Sequence, residues 1–237
     1  MAELLYKVML AAHAIAGLAA LGAFWIPALT KKGSRVHRAA GKTFLVAMIV
    51  VIVTGVPLAL RFFLLGEWVI AVFLLYIAII TGVSVGTAWY ALQLKREPER
   101  YFGPAYRAAM IAMLVSGLGV TFLGGYNGVW LLFFFGFIGP FAAHDMYKRM
   151  RPTRDAHWWL QEHLSGMIGG GIAAHVAFGA FGLRQLWPAY ADIDGWIGML
   201  PWLAPVAIGL TASAWLERKY ARGASSPQPI VKQPRVV

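Results

Sequence analysis

Hydrophobic residues form seven long runs along this chain, separated by short stretches of glycine, proline or charged residues. A helix needs about 20 mostly apolar residues to cross the hydrocarbon core of a bilayer. The pattern therefore predicts an all-α polytopic membrane protein with seven transmembrane helices, near residues 4–29, 41–63, 67–92, 107–124, 127–147, 157–183 and 196–216. Proline kinks or loosens a helix, so we expect distortion at Pro140, Pro201 and Pro205.

These runs leave no sequence for a separate soluble domain. We predict one transmembrane domain over residues 1–222 and a disordered cytoplasmic tail over residues 223–237, which lack helical periodicity. The composition agrees, because 59% of the residues are hydrophobic and 13% are charged, whereas soluble proteins have roughly 25% charged residues.

Lysine and arginine are concentrated in every second connection between the runs, and the other connections carry only Arg61 and Arg184. Basic loops stay on the cytoplasmic side of a membrane, which predicts an external N-terminus and a cytoplasmic C-terminus. The predicted cytoplasmic residues are Lys31, Lys32, Arg35, Arg38, Lys42, Lys95, Arg96, Arg100, Arg107, Lys148, Arg149, Arg151, Arg154, Arg218, Lys219 and Arg222.

Topology thus accounts for the net charge of +11. We expect a protein of the plasma membrane, the inner membrane of a bacterium. Its basic face is expected to attract anionic headgroups of the cytoplasmic leaflet, and no nucleic-acid partner is expected.

Cysteine is absent and histidine occurs six times. The absence of cysteine excludes disulfides, thiolate metal sites, iron–sulfur clusters and covalently attached c-type haem. Non-covalent haem and metals held by histidine and carboxylate remain open. Ionisable side chains inside a bilayer are costly and indicate function, so the histidines are the candidate chemistry.

The histidines are predicted to lie at two depths. His13 and His175 fall about 14 Å and 12 Å from the outer ends of their spans, at 1.5 Å per residue, and so at one level. His37, His144 and His163, with His157 nearby, form an inner group. Two such levels would suit two b-type haems that pass electrons across the membrane.

A metal without haem is the second chemical prediction. The inner group could bind Zn, Fe or Cu through histidine and carboxylate, with the set His37, His144, Asp145, Glu162 and His163. Asp145 equally suits an ion pair with Arg149, one helical turn on. The glycines near residues 166–171 indicate a close approach to the sixth span, and helix packing is favoured over the edge of a macrocycle.

Several short motifs resemble an uncharacterised family of predicted bacterial membrane proteins. The motifs are His13 with Gly17, Lys32-Gly33, His37-Arg38, Gly41-Lys42, His144-Asp145, and Glu162-His163 with Met167 and Gly170. The similarity covers most of spans one to six and implies a shared fold, in which His13, His37, Asp145 and His163 are the residues of interest. The family brings no assigned activity.

The depth of the histidines is also loosely similar to that in cytochrome b561-type proteins, which bind two haems between histidines of a helical bundle. That resemblance implies haem b on His13, His175, His163 and His37. This chain departs from the pattern by its seventh span and by histidines at helix ends.

Three functional hypotheses remain, and they leave enzymatic activity open. The first is transmembrane electron transfer by a histidine-bound haem b or transition metal, with a redox partner. The second is a cofactor-free structural or assembly subunit of a larger membrane complex. The third is a metal-dependent membrane hydrolase with a cytoplasmic site, for which the candidate metal ligands are His37, His144, Asp145 and His163.

Overall fold

The computed structural model of the protein describes residues 1–151, 157–187, 190 and 195–222, and all the secondary structure in these ranges is helical. The predictions for Arg154 and for the tail over 223–237 lie outside the described residues. The helices are α1 (Ala2–Leu29), α2 (Arg35–Leu64), α3 (Trp68–Gln93), α4 (Pro98–Tyr101), α5 (Pro104–Tyr126), α6 (Trp130–Gly136), α7 (Ile138–Arg149), α8 (Trp158–Ala177), α9 (Leu183–Leu186) and α10 (Gly195–Leu216). π-helical turns follow α8 (Phe178–Gly182) and α10 (Glu217–Arg222).

Six helical segments in the described part of the chain are long and apolar enough to cross a membrane: Glu3–Leu29, Arg35–Leu64, Trp68–Gln93, Pro104–Tyr126, Trp158–Leu186 and Ile197–Lys219. They match six of the seven predicted spans. The remaining run, near 127–147, is divided between the short helices α6 and α7.

A four-helix bundle of α1, α2, α3 and α8 forms one end of the fold. α1 packs along α2, α2 along α3, and α3 along α8, while α1 also touches α8. Phe44, which is fully buried, fills the centre of this bundle with Phe24 beside it. The helices α5, α6 and α7 form a second layer against α3, and α10 covers α8.

Glycines on α8 allow the bundle helices to come close together. Gly166 and Gly169 lie against Ser84 of α3, Gly170 against Phe44 of α2, and Gly171 against Phe24 of α1. Small residues permit such close helix packing in membranes. Helix packing therefore explains the glycine-rich stretch of the sixth predicted span, as favoured from the sequence.

The break between α6 and α7 has a specific chemical cause. Pro140 has no N–H, so the Gly136 carbonyl lacks its usual partner four residues on. The Tyr76 hydroxyl of α3 donates to the carbonyl oxygens of Phe135 (3.1 Å) and Gly136 (3.2 Å), and accepts from the N–H of Gly139 (2.9 Å). A neighbouring helix thus satisfies the backbone groups that the break frees, as an apolar medium requires.

Both short helices pack antiparallel to α5 through further glycines. A Cβ at Gly117 would lie 2.5 Å from Cδ of Pro140 and 2.7 Å from the Gly136 carbonyl oxygen. Gly124 approaches Leu132 and Phe133 as closely. The helices α6 and α7 together therefore pack antiparallel to α5 along its length.

Replacement of Tyr76 by Phe should destabilise the protein by about 1–3 kcal/mol, because buried backbone groups at the break lose their partner. Thermal unfolding of the detergent-solubilised protein measures this effect. Tyr90→Phe is the matched control, since Tyr90 is 58% exposed. Equal melting temperatures for the two variants would contradict the role given to Tyr76.

Replacement of Gly117 by Ala should lower stability by about 1–3 kcal/mol, because the added methyl group overpacks the contact with the broken helix. Gly119→Ala in the same helix is the control, since a Cβ there meets no heavy atom within 4 Å. We expect the control to be neutral or to gain up to about 1 kcal/mol from helix propensity. Similar losses in both variants would argue against the close contact.

Candidate functional site

Both ring nitrogens of His175 are already used within the protein. Its Nδ1 donates to the carbonyl oxygen of Gly171 at 2.7 Å, and its Nε2 accepts from the indole N–H of Trp25 at 3.1 Å. The ring also makes edge contacts with Phe24 and Trp25. A metal ligand needs a free nitrogen lone pair, so this arrangement would have to change before His175 could bind iron.

His13 lies far from His175. It bonds to Thr54 of α2, whereas His175 bonds to Trp25 of α1. Its Nδ1 is 3.1 Å from Oγ1 of Thr54, which itself donates to the Val50 carbonyl, so His13 is the donor in this pair. On α1, His13 and the Trp25 that contacts His175 are twelve residues apart, or about 18 Å along the helix. The two imidazoles therefore do not share the single level that the sequence predicted.

His37 and His163 lie near the starts of α2 and α8, and their rings share one local arrangement. Nδ1 of His37 lies 3.3 Å from the carbonyl oxygen of Pro27, and Nδ1 of His163 lies 3.1 Å from that of Ala88. A carbonyl can only accept, so Nδ1 carries the proton in both rings and Nε2 keeps its lone pair. Metal-binding histidines commonly show this pattern, in which the second nitrogen is anchored on a backbone carbonyl.

The topology places these two histidines at one level. α2 and α8 run in the same direction, and Phe44 of α2 contacts Gly170 of α8. His37 precedes Phe44 by seven residues, and His163 precedes Gly170 by seven. Seven residues are two helical turns and about 10 Å, so both side chains occupy the same face and depth.

Gly41 follows His37 by one turn on the same face of α2, and a Cβ at Gly41 would meet no heavy atom within 4 Å. The next level along α2 is filled by Phe44 with Phe24 beside it. His37 and His163 therefore lie on the side of this aromatic layer that is nearer to the starts of α2 and α8.

His144 and Asp145 do not join this pair. Both are exposed on α7, and Asp145 accepts from Nε of Arg149 at 2.8 Å. The ion pair that was the alternative for Asp145 is therefore present. No group of three or more metal-capable His, Asp or Glu side chains occurs among the residues described.

The most buried charged side chain in the described ranges is a carboxylate that the sequence did not single out as a centre of its own. Glu162 of α8 is only 4% exposed. Its Oε2 accepts from the hydroxyl of Tyr101 at 2.8 Å, and its Oε1 accepts from that of Tyr106 at 3.0 Å. Burial and the charge of Glu162 raise the pKa of Tyr101, so this hydroxyl stays protonated and donates.

Arg149 connects Glu162 to the C-terminal part of the chain. Its Nε lies 3.8 Å from Oε1 of Glu162, and its Nη2 donates to Ser165 (3.0 Å) and to Glu217 (3.2 Å). Together with Asp145, three carboxylates surround this guanidinium. The cluster joins α4, α5, α7, α8 and the π-helical turn after α10.

Sequence reasoning missed this cluster because its members are distant along the chain. Tyr101 and Tyr106 precede Glu162 by 61 and 56 residues. The available signal was a single glutamate inside an apolar helix with an arginine at the end of the preceding one. Such an acid requires a cationic or hydroxyl partner.

Comparison of the chain with known protein families, with characterised proteins and with solved structures finds no match. The two family resemblances seen in the sequence therefore stay predictions. The geometry of the described residues is the remaining basis for assigning a function.

Replacement of Arg149 by Met should destabilise the protein by about 3–5 kcal/mol, because it leaves a buried carboxylate without its cation. Lys148→Met is the control, since Lys148 is exposed one position away. The double variant Arg149→Met with Glu162→Leu should recover part of the loss, because it also removes the unpaired charge. Unfolding curves for the three variants test this prediction. A double variant less stable than Arg149→Met alone would contradict it.

Proposed function

We propose that this protein transfers electrons within the membrane through a haem b or a transition metal held by His37 and His163. The observation that carries the proposal is the shared arrangement of these rings: each is anchored through Nδ1, each keeps its Nε2 lone pair, and both lie at one level. Facing helices of a bundle supply cofactor ligands in this way.

The donor set fits haem iron better than a larger metal site. The imidazoles of His37 and His163 would hold a haem, which would supply reversible one-electron chemistry. Zn, Fe or Cu bound without haem would need further ligands. His13 also keeps an Nε2 lone pair, so it remains a candidate ligand at a second level.

We also propose the topology that gives this site its place in the cell. α6 and α7 together span residues 130–149, about 30 Å of helix at 1.5 Å per residue, which is the thickness of the hydrocarbon core. Their antiparallel course along α5 supports a seventh, broken crossing. With basic loops inside, the N-terminus is external, the His37–His163 pair faces the cytoplasm, and the membrane is the bacterial inner membrane.

A cofactor-free structural subunit is the competing function. His175 favours it, because both of its ring nitrogens are hydrogen-bonded within the protein. The hydrogen-bonded cluster around Glu162 fits it as well. The hydrolase hypothesis is less well supported, because the exposed Asp145 is paired with Arg149.

Absorption spectra of the purified protein, oxidised and then reduced with dithionite, test the proposal, with metal analysis of the same sample. We expect a sharp reduced α-band of b type. His37→Ala and His163→Ala should each abolish it, because each removes one of the two imidazoles that would hold the haem. His175→Ala is the matched control and should retain it, since Nε2 of His175 is engaged by Trp25.

Two results would overturn the proposal. One is a colourless and metal-free wild-type protein, which would favour the structural subunit. The other is full haem retention in both His37→Ala and His163→Ala. Loss of haem in His13→Ala alone would move the site to the outer level.

A further inference from the structure

A groove of about 380 Å³ runs between α1 and α2 on the surface of the bundle, lined by Ala16, Lys42, Thr43, Val46 and Ala47. We infer that it binds one anionic phospholipid, with the phosphate on the Lys42 ammonium and an acyl chain along the small apolar residues. This inference is independent of the proposed function, because none of the lining residues is a histidine.

Lys42 is an unpaired cation within a membrane helix. Among the described residues no carboxylate or carbonyl accepts from its ammonium, and its side chain is exposed. It follows Arg35, the first residue of α2, by seven positions, or about 10 Å of helix. At that depth the ammonium reaches the headgroup level by extending toward the helix start, where lipid phosphate is the available anion.

Thr43 and the apolar residues line the rest of the groove. The Thr43 hydroxyl donates to the Ala39 carbonyl at 3.2 Å, so its proton is already used and the phosphate contact rests on Lys42. Val46 lies one turn beyond Lys42 and is 61% exposed. Polar groups thus occupy the end of the groove near the start of α2, and apolar groups occupy the part that lies deeper in the membrane.

The charge around the groove favours an anionic over a zwitterionic headgroup. Lys32 donates to the carbonyls of Pro27 and Ala28, and Arg38 donates to that of Gly33, so no carboxylate of the described residues neutralises their charges. Together with Arg35 and Lys42 they form a basic patch at the start of α2. Such patches attract anionic lipid headgroups.

Native mass spectrometry of the full chain, released from detergent with added phosphatidylglycerol or phosphatidylcholine, tests the site. We expect one phosphatidylglycerol to bind in preference. Lys42→Gln should weaken this binding about fivefold, as loss of one basic contact near an anionic surface implies, and Lys42→Arg should restore it. Lys31→Gln removes the same charge from the adjacent loop without touching the groove and should leave binding unchanged.

The remaining outcomes separate the alternatives. Equal weakening by Lys42→Gln and Lys31→Gln would overturn the site, because it would show only general attraction to a basic face. Displacement of the lipid by millimolar inorganic phosphate would also overturn it, because the groove would then contribute nothing beyond an anion site. Retention of the lipid in phosphate would support the acyl-chain contacts.

Discussion

A polar group inside an apolar medium must find its partner within the protein, and the Glu162 carboxylate is where this constraint matters most. Tyr101, Tyr106 and Arg149 all converge on it, from α4, α5 and α7. Arg149 also holds Glu217, so the second layer and the end of α10 are joined to the bundle at one point. Unpaired, this charge would cost several kcal/mol, and so the arrangement of these elements depends on it.

The same constraint explains the break between α6 and α7 and the hydrogen bonds of the histidines. Pro140 leaves backbone groups without partners, and the Tyr76 hydroxyl satisfies them. His37 and His163 each donate a hydrogen bond from Nδ1 to a backbone carbonyl oxygen. In the first case the result is a stable break in a helix. In the second the anchoring leaves two Nε2 lone pairs free near the starts of α2 and α8, which is the basis of the proposed redox site.

The helices could be predicted well because each depends on local composition. Long apolar runs bounded by glycine, proline or charge match six membrane-spanning helices. The run over 127–147 is divided at Pro140, where the sequence predicts a distortion, but the Tyr76 hydroxyl that satisfies the freed backbone groups lies 63 residues before Gly139. The outer histidine pair could not be judged from depth within each span, since helices shift and rotate against one another. For that reason Trp25 of α1 meets His175 and donates to its Nε2.

The sequence by itself determined that the protein is helical and apolar enough for a membrane, where its charges lie, and which ionisable residues require an explanation. These properties follow from residue type and periodicity along one helix. Only the tertiary structure decided that Glu162 meets Tyr101 and Tyr106, and that His37 and His163 lie at one level. The physical reason is that such contacts depend on the register and facing of helices far apart in the chain, which packing between small residues sets.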